Sequence, residues 1–315
     1  MSCRRLAATL LVFWIPEGAC YRGDPAPTTP STSAMVQTPD CNTDNDLAHP
    51  VRDPHEGRLR VHSTAPLTVV RGRASGKNWV GPPIPDYVPK KLDTLDLMLM
   101  DEVEGGVLAL YREPYNVGSC QLRDDSNCAY AVRRYRDGKV AWALDLDRLF
   151  TRTDHLEVQD IRLSGDVLYF NEACQTYSNE AGGDCSSLVA VDPRTGRVLW
   201  RTPTLTSNNR FVVESCFIIA GYGFTGEPDE LSLIDRATGA VLQRVPVATA
   251  PERYTLVDGR IDVTLYSGSV RRFKLDGAAR KLVALDPEDP DLYGGAAYGS
   301  AAYGGATYGR RLKRP

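Results

Sequence analysis

Eight cysteines, four histidines and 40 acidic residues in a chain of 315 are the groups that could hold a metal or do chemistry, and their spacing separates those uses. Zinc sites draw on ligand pairs a few residues apart. No C-x2-C pair occurs, and His49, His55, His62 and His155 form no pair at metal spacing. The run Asp40-Cys41-Asn42-Thr43-Asp44-Asn45-Asp46 alternates oxygen ligands as a calcium loop does, but it lacks the glycine at the sixth position, and Val51 stands where the closing glutamate belongs. It reads as a solvated linker. Gly221-Tyr222-Gly223-Phe224-Thr225-Gly226 satisfies G-x-G-x-x-G after an apolar strand. A dinucleotide site needs a helix to open next, whereas Glu227-Pro228-Asp229-Glu230 leads into the strand-like Leu231 to Ile234, so a wide hairpin turn is predicted. H-E-x-x-H, G-x-S-x-G and P-loop patterns are absent, and no catalytic, cofactor or metal residue is assigned. Disulfides fit the cysteines better than zinc. Cys120 with Cys128 and Cys174 with Cys185 would each close a short loop, leaving Cys41 with Cys216 by elimination.

The chain around these residues divides by composition. Arg4 and Arg5 precede an apolar run from Leu6 to Ile15, then Pro16-Glu17 and the small residues Gly18-Ala19-Cys20, which is the layout of an export signal over 1–19. Its ending resembles a lipobox, with Cys20 as the lipidated residue; Glu17 departs from that pattern, and simple secretion is the alternative. A Pro/Thr/Ser-rich linker follows over 20–57, and 287–315 is a Gly/Ala tail with Tyr293, Tyr298, Tyr303 and Tyr308 at five-residue intervals, expected to be disordered. The ten-residue apolar run is too short to span a bilayer, so membrane contact is expected only through a lipid anchor. A net charge of -3 provides no broad basic field for a nucleic-acid backbone. The whole chain is 42% hydrophobic and 24% charged, ordinary values for a globular protein, and what remains over 58–286 is long enough for one globular domain.

That domain repeats. Ala190-Val191-Asp192-Pro193-Arg194-Thr195-Gly196-Arg197-Val198-Leu199-Trp200 is a strand, a turn closed by glycine, and a second strand ending in tryptophan. The pattern returns at Leu233 to Gln243, with Asp235 and Gly239 in place and Gln243 where the tryptophan stood. It occurs upstream at Tyr135 to Trp142 around Gly138, and in degenerate form at Phe273 to Gly277. The glycines step by 58, 43 and 38 residues. A period near 40–45 with four strands per unit means an all-β propeller of four-stranded antiparallel blades. Five blades are predicted, the fifth from 58–91 with its strand-like Leu59 to Val70; four blades or an open arc is the alternative. The long step is ascribed to an enlarged loop holding Cys174 and Cys185, with Cys120 and Cys128 in the equivalent loop of the first unit, so that both bridges fall on one face. Tyr222, Phe224, Glu227 and Asp229 would share that face as a contact loop.

The pattern A-x-D-x-x-T-G-x-x-x-W, met in full by Ala190, Asp192, Thr195, Gly196 and Trp200, resembles the tryptophan-docking motif of pyrroloquinoline-quinone-type β-propellers. The resemblance implies that Trp142 and Trp200 wedge between adjacent blades. No quinone is implied: no Cys-Cys dipeptide exists and no acid falls on a calcium or base position by motif. In architecture and anchoring the chain is similar to envelope propeller lipoproteins, which implies a non-enzymatic scaffold with an envelope protein partner. A small periplasmic oxidoreductase or hydrolase with a central-channel site is the alternative. Oligomeric state is not legible.

Overall fold

A computed structural model describes residues 71–75, 78–103, 105–114, 126–224, 226–257 and 260–285. The signal, linker and tail segments, Cys20, Cys41 and Cys120 therefore lie outside the described residues. Among those described, helix is limited to one 3-10 turn, Asp147–Leu149, and no helix is long and apolar enough to cross a membrane.

Twenty strands build four antiparallel sheets. Two short strands, β1 (Arg71–Ser75) and β2 (Asn78–Val80), and a third, β3 (Lys91–Leu92), precede the first blade, which is β4 (Leu95–Val103), β5 (Gly106–Arg112), β6 (Tyr130–Arg136) and β7 (Lys139–Asp145). The small strand β8 (Leu156–Glu157) leads to the second blade: β9 (Ile161–Ser164), β10 (Val167–Cys174), β11 (Ser187–Asp192) and β12 (Arg197–Arg201). The third contains β13 (Phe211–Glu214), β14 (Phe217–Tyr222), β15 (Glu230–Asp235) and β16 (Val241–Pro246). The fourth contains β17 (Pro251–Val257), β18 (Arg260–Leu265), β19 (Val270–Asp276) and β20 (Lys281–Ala284). Within each blade the strands pair in chain order, as hairpin connections require.

Among the described residues no fifth sheet forms. The part of 58–91 that is described adds to the first blade instead: β1 pairs along β4 through Arg73 and Leu99, and β2 pairs with β1. Physical reasons lie at the two ends. The outward face of the first blade is sealed by its own leading segment, where Trp79, Ile84, Val88 and Leu92 pack on Met100, Val107, Ala109 and Tyr111. On the last blade the outward face carries the exposed Arg272 and Lys274 beside Asp262. The first face is thus covered by its own chain, while the last mixes charge with the exposed Val270 and Val283. Four blades are thus the architecture of the described residues.

Between the ends, blades bury alternating residues against each other. Leu108, Leu110 and Val132 meet Ile161, Leu168 and Phe170; Tyr169 and Ala190 meet Phe211 and Ile218; Ile219 and Leu233 meet Val263 and Phe273. At the outer rim the Asp-x-x-Thr-Gly turns explain themselves. Asp192 accepts from Arg194 N and Thr195 Oγ1, both at 2.9 Å, and Gly196 N reaches Asp192 O at 2.8 Å with φ +71°. The turn at Asp235 is closely similar: Asp235 Oδ1 accepts from both Thr238 N and Thr238 Oγ1 at 2.8 Å, and Gly239 N reaches Asp235 O at 2.8 Å. Trp200 lies on the Gly239 turn of the next blade, its Nε1 donating to Arg236 O at 3.0 Å, and a Cβ on Gly239 would meet Trp200 Cε3 at 2.5 Å. Trp142 behaves differently: Leu144, not Trp142, is the side chain nearest Gly196, at 3.5 Å from a Cβ built there, and Trp142 lines a cavity beside Pro193 and Arg194. Tyr87 of the leading segment faces Gly138. Gln243, where a tryptophan is missing, clasps the last blade by backbone bonds, donating to Leu282 O at 3.2 Å and accepting from Leu282 N at 2.6 Å.

The long step between Gly138 and Gly196 divides between two loops. The enlarged 175–186 accounts for part, and 146–160, joining the first and second blades, for another, so the step is not the work of the disulfide-closed loop alone.

Candidate functional site

The connections between the second and third strands of each blade, and those that enter each first strand, lie at one end of the arc; the Asp-x-x-Thr-Gly turns lie at the other. On the first end the Cys174–Cys185 disulfide, with S–S 2.04 Å, ties the end of β10 to a residue two before the start of β11. Arg152 braces the enclosed loop by donating to Ala181 O at 2.6 Å. Cys128 and Cys216 are also disulfide-bonded; Cys120 and Cys41, the partners expected for them, lie outside the described residues. Cys216 sits at the β13–β14 turn, at the opposite end.

The contact loop read from sequence splits into supports and surface. Tyr222 is buried and donates to Glu227 Oε2 at 2.5 Å, while Glu227 Oε1 accepts from Ser178 N at 2.6 Å. Glu227 therefore fastens the third blade's loop to the disulfide-closed loop of the second. Gly223, at φ +155°, is clasped by Asn208, which donates Nδ2 to Gly223 O at 2.9 Å and accepts from Gly223 N at 3.2 Å. A Cβ on Gly223 would meet Asp229 Oδ1 at 2.0 Å, so glycine is required by the close approach of Asp229. Burial, with the negative Glu227 nearby, pushes the Asp229 carboxyl up to about 6. No helix follows Gly226; the chain enters β15 directly.

Phe224 is the exposed member, at 49%, and it meets Tyr177 of the neighbouring loop edge-to-face with ring centroids 5.0 Å apart. Tyr177 is 40% exposed, and Tyr266, in the next blade's corresponding turn, is 72% exposed. Sequence reasoning did not single out Tyr177 and Tyr266. The signal was available in the repeat phase, since each follows the second strand of its unit as Phe224 does.

Toward the axis, the first strands are joined by a buried charge network. Arg162 Nη1 lies 3.4 Å from Asp101 on the first blade and its Nη2 3.2 Å from Asp160, and its Nε donates to Phe211 O on the third at 3.0 Å. Next to it opens a cavity of about 440 Å3 lined by Arg73, Gln159, Asn209, Arg210, Glu252 and Arg253. Among the described residues, no group of three or more His, Cys, Asp or Glu side chains could hold a metal ion.

No family model matches the chain, and no curated protein matches it. Solved propeller-type structures do. BamB from Moraxella catarrhalis is 14% identical, with 58% of this chain and 62% of that chain covered, at a TM-score of 0.36. HIRA(644-1017) is 14% identical over 61% of this chain and 52% of that one, at 0.34. The computationally designed Ika8 protein is 12% identical over 61% and 62%, at 0.33. The chain thus spans between about half and two thirds of the length of these structures, and no residue role, ligand or partner is carried across from them.

Proposed function

We propose that this chain is an exported, non-enzymatic propeller scaffold that binds an envelope protein partner through its loop end, held at the membrane by lipid on Cys20 or released by secretion. The observation that carries the reading is the exposed Tyr177–Phe224 pair, with Tyr266 on the following loop. Rigid aromatic side chains offer large contact area at small entropic cost, and here a disulfide and Glu227 fix the loops that present them. Export is supported by the signal-like layout of 1–19 and by the Cys174–Cys185 bridge, since such bonds persist in oxidising compartments. The test is affinity capture of the tagged full chain from its native envelope, beside Tyr177→Ala and Phe224→Ala. One stoichiometric protein partner, lost or strongly depleted with both variants while their melting curves stay unchanged, is the outcome expected. Equal recovery with the variants, or no partner at all, would overturn the reading.

A further inference from the structure

The axial cavity is built for charge rather than for an apolar ligand. Arg73 on β1, Arg210 just before β13 and Arg253 on β17 bring three guanidinium groups from three blades to one space, answered within its lining by the single carboxylate of Glu252. Arg73 and Arg210 have other partners as well; what singles the cavity out is the convergence. Burial, and then the neighbouring charge of Arg253, pull the Arg210 guanidinium below its usual range, so cations are gathered here against both desolvation and mutual repulsion. Arg253 Nε is buried and has no hydrogen-bond acceptor among the described residues.

The rim is held rigidly. Asn171 Oδ1 accepts from Gln159 N at 3.0 Å and from Asp160 N at 2.9 Å, and its Nδ2 donates to Asn209 O at 2.7 Å. The backbone of Gln159 and of Asn209 is thereby held beside the arginines; the Gln159 amide already donates to Glu157 Oε1 at 2.6 Å, and Asn209 carries an amide able to donate. Guanidinium forks match the oxygen geometry of phosphates and carboxylates. A space of about 440 Å3 suits a small molecule and excludes a polymer backbone.

We propose that the axial cavity binds a small multivalent oxyanion, one bearing phosphate or carboxylate groups, between Arg73, Arg210 and Arg253. This site shares no lining residue with the aromatic surface of Tyr177, Phe224 and Tyr266.

Isothermal titration of the full chain with inorganic pyrophosphate and with citrate, against chloride at equal ionic strength, tests it. Saturable binding of at least one probe at one site per chain is expected, and the relative affinity of the two separates phosphate-bearing from carboxylate-bearing ligands. Arg253→Gln should weaken it by about tenfold or more, as loss of a charged hydrogen-bonding partner does. Arg253→Lys should fall between, keeping the charge and losing the fork. Lys274→Gln, on the outward face of the last blade, should bind as the parent does. A melting curve without anion shows whether each variant is folded, and Arg73→Gln serves in place of any Arg253 variant that is not. Absence of saturable binding above the chloride control would overturn the assignment, as would equal weakening by Arg253→Gln and Lys274→Gln, the mark of diffuse surface charge.

Discussion

Trp200 and Gly239 occupy one space, and a double-mutant cycle reads that directly. Alanine at Gly239 incurs about 1 kcal/mol for a left-handed φ of +74°. Its Cβ would also fall 2.5 Å from Trp200 Cε3 and 2.7 Å from Cδ2, an overpacking worth about 1–3 kcal/mol. Gly239→Ala alone should therefore cost about 2–4 kcal/mol. Trp200→Ala removes a half-buried indole that meets Tyr169 at 5.8 Å and donates to Arg236 O, so about 2–3 kcal/mol is expected, below the range for a fully buried tryptophan. With the indole gone the clash disappears and only the backbone term remains. The double variant should then be more stable than the sum of the two single losses predicts, by about 1–3 kcal/mol. Urea denaturation followed by far-ultraviolet circular dichroism measures all four corners. Additivity to within about 0.5 kcal/mol would refute blade docking through this pair.

Three further outcomes follow from local geometry. Gly221→Ala places a Cβ 2.7 Å from Pro251 Cβ and 2.8 Å from Tyr254 Oη, and since the proline ring cannot swing away, denaturation should show a loss of about 1–3 kcal/mol; an unchanged midpoint would contradict the close approach of β14 and β17. Replacing Cys174 and Cys185 together by alanine frees a closure of 11 residues and should lower stability by about 3 kcal/mol, with reduction of the parent shifting its midpoint in the same direction. Asp229, raised to about 6 in the folded chain, binds its proton more tightly folded than unfolded, so its contribution is present at low pH and is lost as pH rises from about 4 to about 6. Asp229→Asn should flatten stability across that window, and an identical pH profile in the variant would count against the burial assigned to this carboxyl.

The hairpin turns were legible because their chemistry is local. Asp192, Thr195 and Gly196 satisfy one another within five residues, so type and spacing alone disclose them. The leading segment was not legible, because Pro82, Pro83, Pro85 and Pro89 interrupt it: Ile84, Val88 and Leu92 fall four residues apart as on a helix the prolines forbid, and only contact with the first blade shows them, with Trp79, to be one apolar cap. Because that cap and the strands beside it join the first blade, the described residues form four blades where five were read from the repeat. Trp142 carried the docking spacing and packs in the cluster shared by the first and second blades, while Leu144 is the side chain nearest Gly196; which of the two reaches the glycine depends on the fit between sheets. The disulfide-closed loop was visible from Cys174 and Cys185. The axial arginines were not, since Arg73, Arg210 and Arg253 stand far apart in sequence and meet only through the curvature of the arc.

The scaffold reading is tested most directly by site-specific photocrosslinking in the native envelope, with the photoreactive residue placed in turn at Phe224, at Tyr266 and at Val140, an exposed residue near the opposite end. The account predicts one shared protein adduct from Phe224 and Tyr266 and none from Val140. Adducts of equal yield from all three positions, or from Val140 alone, would contradict it.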